Sequence, residues 1–459
     1  MQKQISLRSL KLVNFRCFDE ITINFDQSTT VLIGANGGGK TALLDAIAIA
    51  LGPLIGAFDF SNGKHFSGQD IRQFKARATS QLEMEYANGG VSLIATGCIP
   101  LATKGCEQQW GRELSSPKNS KTTIKNAKQL INYGQWLQSK VKTGDSEVIL
   151  PLIAYYGTGR LWHQRHLHQI DKKLKKSSRT IGYTDCLDPA SSYKLFSSWF
   201  KYWSLNAQTE RLKAFEVGEP VPKSEFDDFL ISVTSAVNKC LNVSGWHNIK
   251  YSFAAEDIVI EHKEHGQLPV KLLSDGIRNM IGMIADIAFR ATKLNPQLGE
   301  RASEETPGIV LIDEVDMHLH PEWQQVVVSN LKSAFPHIQF IVTTHSPQVL
   351  SSVKRENIRV LDRNSAGEFI AEPPLEDTYG RDSGEVMHTT MEVDPSPPIA
   401  EKSDMNRLLE LVDSGLYECA EAQELLKSMN EKLGVEHPFI VRLQRSIRRQ
   451  QIMSQLGES

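Results

Sequence analysis

The sequence predicts an α/β fold built around a parallel sheet, and three stretches carry that prediction. "TTVLIG" (29–34) is a short apolar run ending in glycine, as a central parallel strand does. It runs through "GANGGGKT" into "TALLDAIAIAL", an apolar stretch with helical periodicity. Far along the chain, "GIVLIDE" and "IQFIVTTHS" are two more apolar strands, each closing on polar residues at its carboxyl end.

The other elements follow in order. "ISLRSLKLVNF" and "DEITINF" alternate apolar and polar residues on either side of a break, the pattern of a half-exposed antiparallel hairpin. Gly52-Pro53 is the expected stop of the helix after the glycine-rich loop. "SQLEMEYANGGVSLIA" reads as two strands turning at Asn88-Gly89-Gly90. From about 104 to 145 the chain is polar and rich in Lys and Ser, the composition of an insertion, and "VILPLIAYYGTGRLW" returns to the core. Helical patterns with several Trp and Tyr from 162 to 241 predict an inserted helical subdomain. "NIKYSFAAEDIVIEH" reads as strands, and "LLSDGIRNMIGMIADIAFRATKL" as an amphipathic helix opening on a Ser-Asp-Gly turn. A Pro-rich stretch after 361 leads to a helical tail from Glu401, read as two amphipathic helices around Ser414-Gly415, with Leu408, Leu411, Leu425 and Met429 on one face. The expected organisation is a head in two parts, 1–158 and 245–365, a helical insertion at 159–244, and a linker and helical tail at 366–459 for docking or oligomerisation.

Composition limits the function classes. Of 459 residues, 40% are hydrophobic and 23% charged, ordinary values for a soluble globular protein. A net charge of −3 excludes a global affinity for nucleic acid, so any such contact needs a local patch. Six cysteines show no CxxC pair and no metal-ligand rhythm, which predicts reduced thiols. No apolar leader and no run of eighteen apolar residues is present, so a cytoplasmic protein without membrane contact is expected.

The glycine-rich loop, Gly34 to Thr41, fits GxxxxGK[ST] with a strand before it and a helix after it. Such a loop curls successive backbone N–H groups around phosphate oxygens, and the helix start adds its positive end. This points to ATP held by Asn36, Gly37, Gly38, Gly39, Lys40 and Thr41, with Lys40 at the β/γ-phosphates and the Thr41 hydroxyl on Mg²⁺. Asp313 closes the apolar strand "IVLID", where a carboxylate can serve the same Mg²⁺, and Glu314 after it is placed to polarise an attacking water. Ser274, Asp275 and Gly276 open a helix and form a second anion site. His345 ends the strand after Asp313's, outside the carboxyl edge of the sheet, where a γ-phosphate can be reached.

Together these motifs resemble the ABC-type ATPase set: Walker A, a signature related to LSGGQ, Walker B with a following Glu, and a histidine switch. "KLVNFRCF" is similar to the RecF/SMC/OLD branch of that family. The resemblance covers about 1–100 and 245–365. It implies that Arg16 touches ATP phosphates, that heads pair, and that Ser274 and Gly276 contact the γ-phosphate of nucleotide bound by the other protomer. Gln69 and Gln81 are both candidates for the Q-loop glutamine. "PLIAYYGTGRLW", "GYTDCLDP", "EVDMHLHPEWQ" and "DTYGRDS" further resemble the defence-associated ATPases typified by the Septu subunit PtuA, also found beside retrons. That implies an antiviral complex with a nuclease of the HNH type. Missing heptads exclude an SMC-like arm, and the segment after His345 lacks the acidic strand ends of a Toprim nuclease.

The stretch 160–179 holds seven Lys/Arg (160, 165, 172, 173, 175, 176, 179) against Asp171, with His163, His166 and His168. A solvated helix face, a contact to nucleic-acid backbone and a histidine metal site all fit it. His318 and His320 fall in the D-loop region, where packing at a dimer seam is expected. The expected function is an Mg-ATP-dependent regulatory ATPase gating a nuclease. A RecF-like DNA-repair ATPase and a nucleotide sensor or scaffold with little turnover are the alternatives.

Overall fold

In a computed structural model, which describes residues 4–59, 61–75, 84–100, 107–116, 122–160, 178–189, 193–220 and 223–457, the strands pair into four sheets. The chain opens with β1 (Ser6–Phe15), β2 (Phe18–Asn24), β3 (Thr29–Gly34) and α1 (Lys40–Ile55). Then come β4 (Gln73–Lys75), β5 (Met84–Tyr86), β6 (Val91–Cys98), β7 (Glu107–Leu114), α2 (Lys128–Lys142) and β8 (Leu152–Tyr156). Helices α3 (Tyr193–Val217) and α4 (Glu225–Cys240) precede β9 (Trp246–Ser252), β10 (Asp257–His262) and β11 (Gly266–Pro269). Next are α5 (Asp275–Leu294), α6 (Ala302–Glu305), β12 (Gly308–Ile312), α7 (Pro321–Gln324), α8 (Val327–Ala334), β13 (Ile338–Thr343) and α9 (Pro347–Ser351). After them lie β14 (Ile358–Arg363), β15 (Phe369–Glu372), α10 (Ser383–Thr389), α11 (Lys402–Asp413), α12 (Ala420–Leu433) and α13 (Pro438–Gly457). Two compact units result, Met1–Val386 and Met387–Ser459.

In the first unit the central sheet runs β15-β14-β3-β13-β12-β8. All its pairings are parallel except the edge pair β14–β15. A second, antiparallel sheet runs β2-β1-β6-β7. Helix α1 packs against strands of both, and nearly all of it is buried, in keeping with its apolar composition on every side. A buried glutamine ties the sheets: Gln339 on β13 donates to the carbonyls of Leu7 and Asp26 at 2.7 Å each, and its Oε1 accepts the Leu7 N–H at 2.9 Å. Helix α5 lies against β8. There Arg290 donates to Asp286 at 2.7 Å and to the carbonyls of Gly182 and Thr184, while the Tyr156 hydroxyl donates to Asp286 at 2.7 Å.

Several expectations change. Helix α1 does not stop at Gly52-Pro53 but continues to Ile55. Pro53 lacks an N–H, which leaves the carbonyl four residues back, on Ile49, without its helical donor. Fully buried Arg112 of β7 fills that gap, its Nη1 donating to the Ile49 carbonyl at 2.9 Å. The polar stretch 104–145 is therefore no surface insertion: β7 completes the antiparallel sheet and α2 packs on α1. Asn88-Gly89-Gly90 does not turn a hairpin either, since β5 pairs with β4 and β6 pairs with β1 and β7. The helices of 159–244 pack onto the head, α3 and α4 against α5 and α4 also against β9. At the other boundary the head outlasts 365, because β15 is part of its sheet and Phe369 meets Phe18 edge-on.

The second unit holds three helices where two were expected. Leu408, Leu411 and Val412 of α11, Ala422 and Met429 of α12, and Ile440 and Leu443 of α13 form one buried cluster, with Leu425 packed on it. A helical pair has too little apolar surface to enclose itself; the third helix closes the core.

The pairing of Pro53 with Arg112 yields a test. Arg112→Met should cost about 1–3 kcal/mol of stability through the orphaned Ile49 carbonyl, and Pro53→Ala, which restores an N–H, should recover part of it. Denaturant unfolding of the single and double variants reads the coupling, and strict additivity would disprove it.

Candidate functional site

The sheet brings the carboxyl ends of its five parallel strands to one edge, and the order β3-β13-β12 sets what meets there. The glycine-rich loop leaves β3 and enters α1. Gly37 and Gly39 hold φ of 78° and 91°, a backbone region open mainly to glycine. At Gly39, the N-cap of α1, a Cβ would stand 2.2 Å from the Phe18 ring and 2.8 Å from Cys17 Sγ, so a side chain has no room there. Ala35, Asn36 and Gly37 are exposed at the loop tip, and the Gly38 N–H donates back to the Ala35 carbonyl at 3.0 Å.

Lys40, 7% exposed, turns its ammonium onto the loop itself, donating to the carbonyls of Gly34 at 2.8 Å and Ala35 at 3.0 Å. Burial pulls its pKa below the ordinary lysine range, against the opposing charges of Asp313 and Glu314. The next residue makes the joining contact. Thr41 Oγ1 donates to Asp313 Oδ2 at 2.7 Å across 272 positions of chain. Asp313, 2% exposed, has its other oxygen taken by Thr343 Oγ1 at 2.6 Å, and that hydroxyl in turn accepts the Glu314 N–H at 2.8 Å. Glu314 sits at φ 49°, in the left-handed region, and is half-buried. His345, also half-buried, follows β13 directly, two residues after Thr343.

Lys40, Thr41, Asp313 and Glu314 thus come together at one edge of the sheet. Thr343 was not among the predicted residues, although "TTH" beside the histidine places a hydroxyl at that strand end.

Arg16 is placed differently. It donates to Asp45 at 2.7 Å and to Asp70 at 2.9 Å; although burial opposes it, these two carboxylates hold the guanidinium above its ordinary range. Lys64 shares Asp45 at 2.5 Å. Gln69 is exposed in the turn before Asp70, and Gln81 lies outside the described residues.

Ser274, Asp275 and Gly276 open α5 elsewhere. Ser274 is the N-cap residue but its hydroxyl does not cap its own helix; it is exposed, as is Asp275, which pairs with Arg278. Gly276 is buried under the loop after β12: a Cβ on it would stand 2.1 Å from the His318 carbonyl oxygen. Ser274 and Asp275 leave the start of this twenty-residue helix open at the surface.

A magnesium nucleotide fits the first cluster. A hydroxyl and a carboxylate already within hydrogen-bonding distance are hard oxygen donors of the kind Mg²⁺ takes, and the loop supplies N–H groups and one lysine for phosphate. The three histidines and the basic residues from 165 to 176 lie outside the described residues; of the stretch's ends, Arg160 closes a short turn at 158–160 and Arg179 donates to Gln297 at 3.1 Å. No helix among the described residues is long and apolar enough to cross a membrane.

Comparison with known proteins gives the family. The family described as "AAA ATPase domain" matches residues 115–350, and that described as "AAA domain" matches 9–216. The chain belongs to the AAA ATPase domain family. It is an ATPase, and its motif set is that of the ABC-type branch. The chain is 25% identical to the "Retron Vc95 probable ATPase" of Vibrio cholerae serotype O1 biovar El Tor, over 93% of this chain and 87% of that one. It is 26% identical to the "Retron Ec83 probable ATPase" of Escherichia coli, over 97% of this chain and 87% of the other. Identity to the "Septu protein PtuA" of Bacillus mycoides (strain KBAB4) is 24%, over 80% of this chain and 42% of the relative.

The packing at the loop predicts that Gly39→Ala abolishes nucleotide binding while α1 stays folded. Titration with a fluorescent ATP analogue should show at least about a hundredfold loss, about 2.7 kcal/mol. Wild-type affinity would mean that Phe18 and Cys17 give way.

Proposed function

We propose that the chain is the Mg-ATP-dependent regulatory ATPase of an antiphage defence complex, in which nucleotide state controls a partner nuclease of the HNH type. The observation that carries this reading is the Thr41–Asp313 contact beside the phosphate loop. It occurs in a chain similar over more than nine-tenths of its length to retron ATPases. Asn36 to Gly39 and Lys40 hold the phosphates; Thr41 and Asp313 hold Mg²⁺, which supplies charge neutralisation there. Glu314 orients and polarises the attacking water, and His345 reaches toward the terminal phosphate. Arg16 joins the phosphates only by loosening its hold on Asp45 or Asp70. The tail serves docking or assembly.

Purification with the product of the neighbouring reading frame, followed by nuclease assay with and without ATP, tests the assignment. Glu314→Gln should keep ATP binding, lower turnover on the order of 10²–10⁴-fold, and fix the nuclease in its ATP-bound behaviour. Nuclease activity indifferent both to ATP and to Glu314→Gln would refute the control.

In this reading Ser274, Asp275 and Gly276 grip nucleotide held by the phosphate loop of a second copy, so two heads share each site. Mixing inactive Lys40→Ala with inactive Ser274→Arg protein should then restore turnover in the heterodimers that carry one intact composite site. No recovery despite demonstrated subunit exchange would rule out the shared site.

A further inference from the structure

Helix α13 segregates charge in a way its neighbours do not. Arg442, Arg445, Arg448 and Arg449 are all exposed, and residues 437–457 contain no Asp or Glu. At about 100° of rotation per residue the four fall within about 120° of arc. Ile440, Leu443 and Ile447 lie on the opposite side, packed into the bundle core. Several arginines elsewhere are held by acids: Arg290 by Asp286, Arg381 by Glu376, Arg407 by Glu410 and Glu421. Among the described residues the side chains of the four of α13 make no ion pair and no hydrogen bond, although α11 and α12 of the same bundle carry several carboxylates.

We propose that α13 lays this strip along the phosphodiester backbone of a nucleic acid. From 442 to 449 the helix rises about 10 Å, and a duplex carries about six phosphate charges over that length, one per ~1.7 Å. Four guanidinium forks on the same span approach that density, and each fork fits phosphate oxygens in pairs. A membrane surface is disfavoured because the apolar side that would enter a bilayer is closed inside the bundle. An acidic protein is the weaker occupant: the exposed side of α13 carries no aromatic anchor of the kind that dominates protein interfaces.

The test uses the full chain and labelled 30-mers of duplex DNA, single-stranded DNA and RNA. Changing all four arginines to Gln, which keeps helix propensity, should weaken binding at least about tenfold at low salt. The log–log salt slope on duplex DNA should flatten by about 0.9 for each lost contact, up to about 3.6. Changing the same four to Lys should retain most of the slope, and ATPase activity should be unchanged in both variants. The DNA and RNA arms show which polymer is held. Unchanged affinity and slope in the Gln variant would overturn the proposal. So would polyglutamate displacing the 30-mers as well as unlabelled duplex does, which would point to an acidic protein, or a Lys variant as impaired as the Gln variant.

Discussion

The site depends on one buried carboxylate. Asp313 is shut away from water with both oxygens engaged, one by Thr41 at the start of α1 and one by Thr343 at the end of β13. Its own N–H is held by the Tyr156 carbonyl of β8 at 2.8 Å. A carboxylate buried without such donors would be costly, so these contacts draw three strand ends and the phosphate loop to one point. The register follows from strand order: β13 lies between the strand that feeds the loop and the strand that bears Asp313, so a β13 side chain has to fill the space between them. Thr343 fills it with a hydroxyl that serves Asp313 and receives the Glu314 backbone at once.

The parallel sheet and its loop were legible because their signals are local. An apolar strand ending in glycine, a phosphate loop and a helix that is apolar all round each announce themselves within fifteen residues. The same holds for the "IVLIDE" and "IVTTHS" strands. Arg16 was assigned by resemblance, and its carboxylate partners were not read because Asp45 and Asp70 are remote in sequence and carry no motif. Thr343 was missed for a different reason: only the strand order gives that threonine a task.

Where the reading of elements failed, a distant donor had replaced a local one. Pro53 after Gly52 is a sound stop signal when nothing else can satisfy the carbonyl it orphans. Arg112, sixty-three positions from Ile49, does satisfy it, and the helix runs on. The same arginine belongs to a stretch read as an insertion because it is polar and rich in Lys and Ser. Its burial against α1 pushes the guanidinium down to about 10, yet Nη1 also reaches the Lys64 carbonyl at 2.5 Å and Nη2 the His65 ring at 2.8 Å. Composition misleads at such places because a polar side chain inside a protein is chosen for its partners, which lie elsewhere in sequence.

The tail shows the converse. Its third helix runs through "RLQRSIRRQQ", a polar run where only Ile440 just before it and Leu443 and Ile447 within it carry the period that faces the core. Those three positions let the bundle close without drawing on the arginines, which therefore stay in water as a row. Stability of the bundle and the charge of its outer side rest on different residues, and each can change without the other. A helix needed only to complete a core would tolerate acids, or paired charges, on that side. Four arginines without an ion pair, on a helix that carries no carboxylate of its own, are a property that packing does not require.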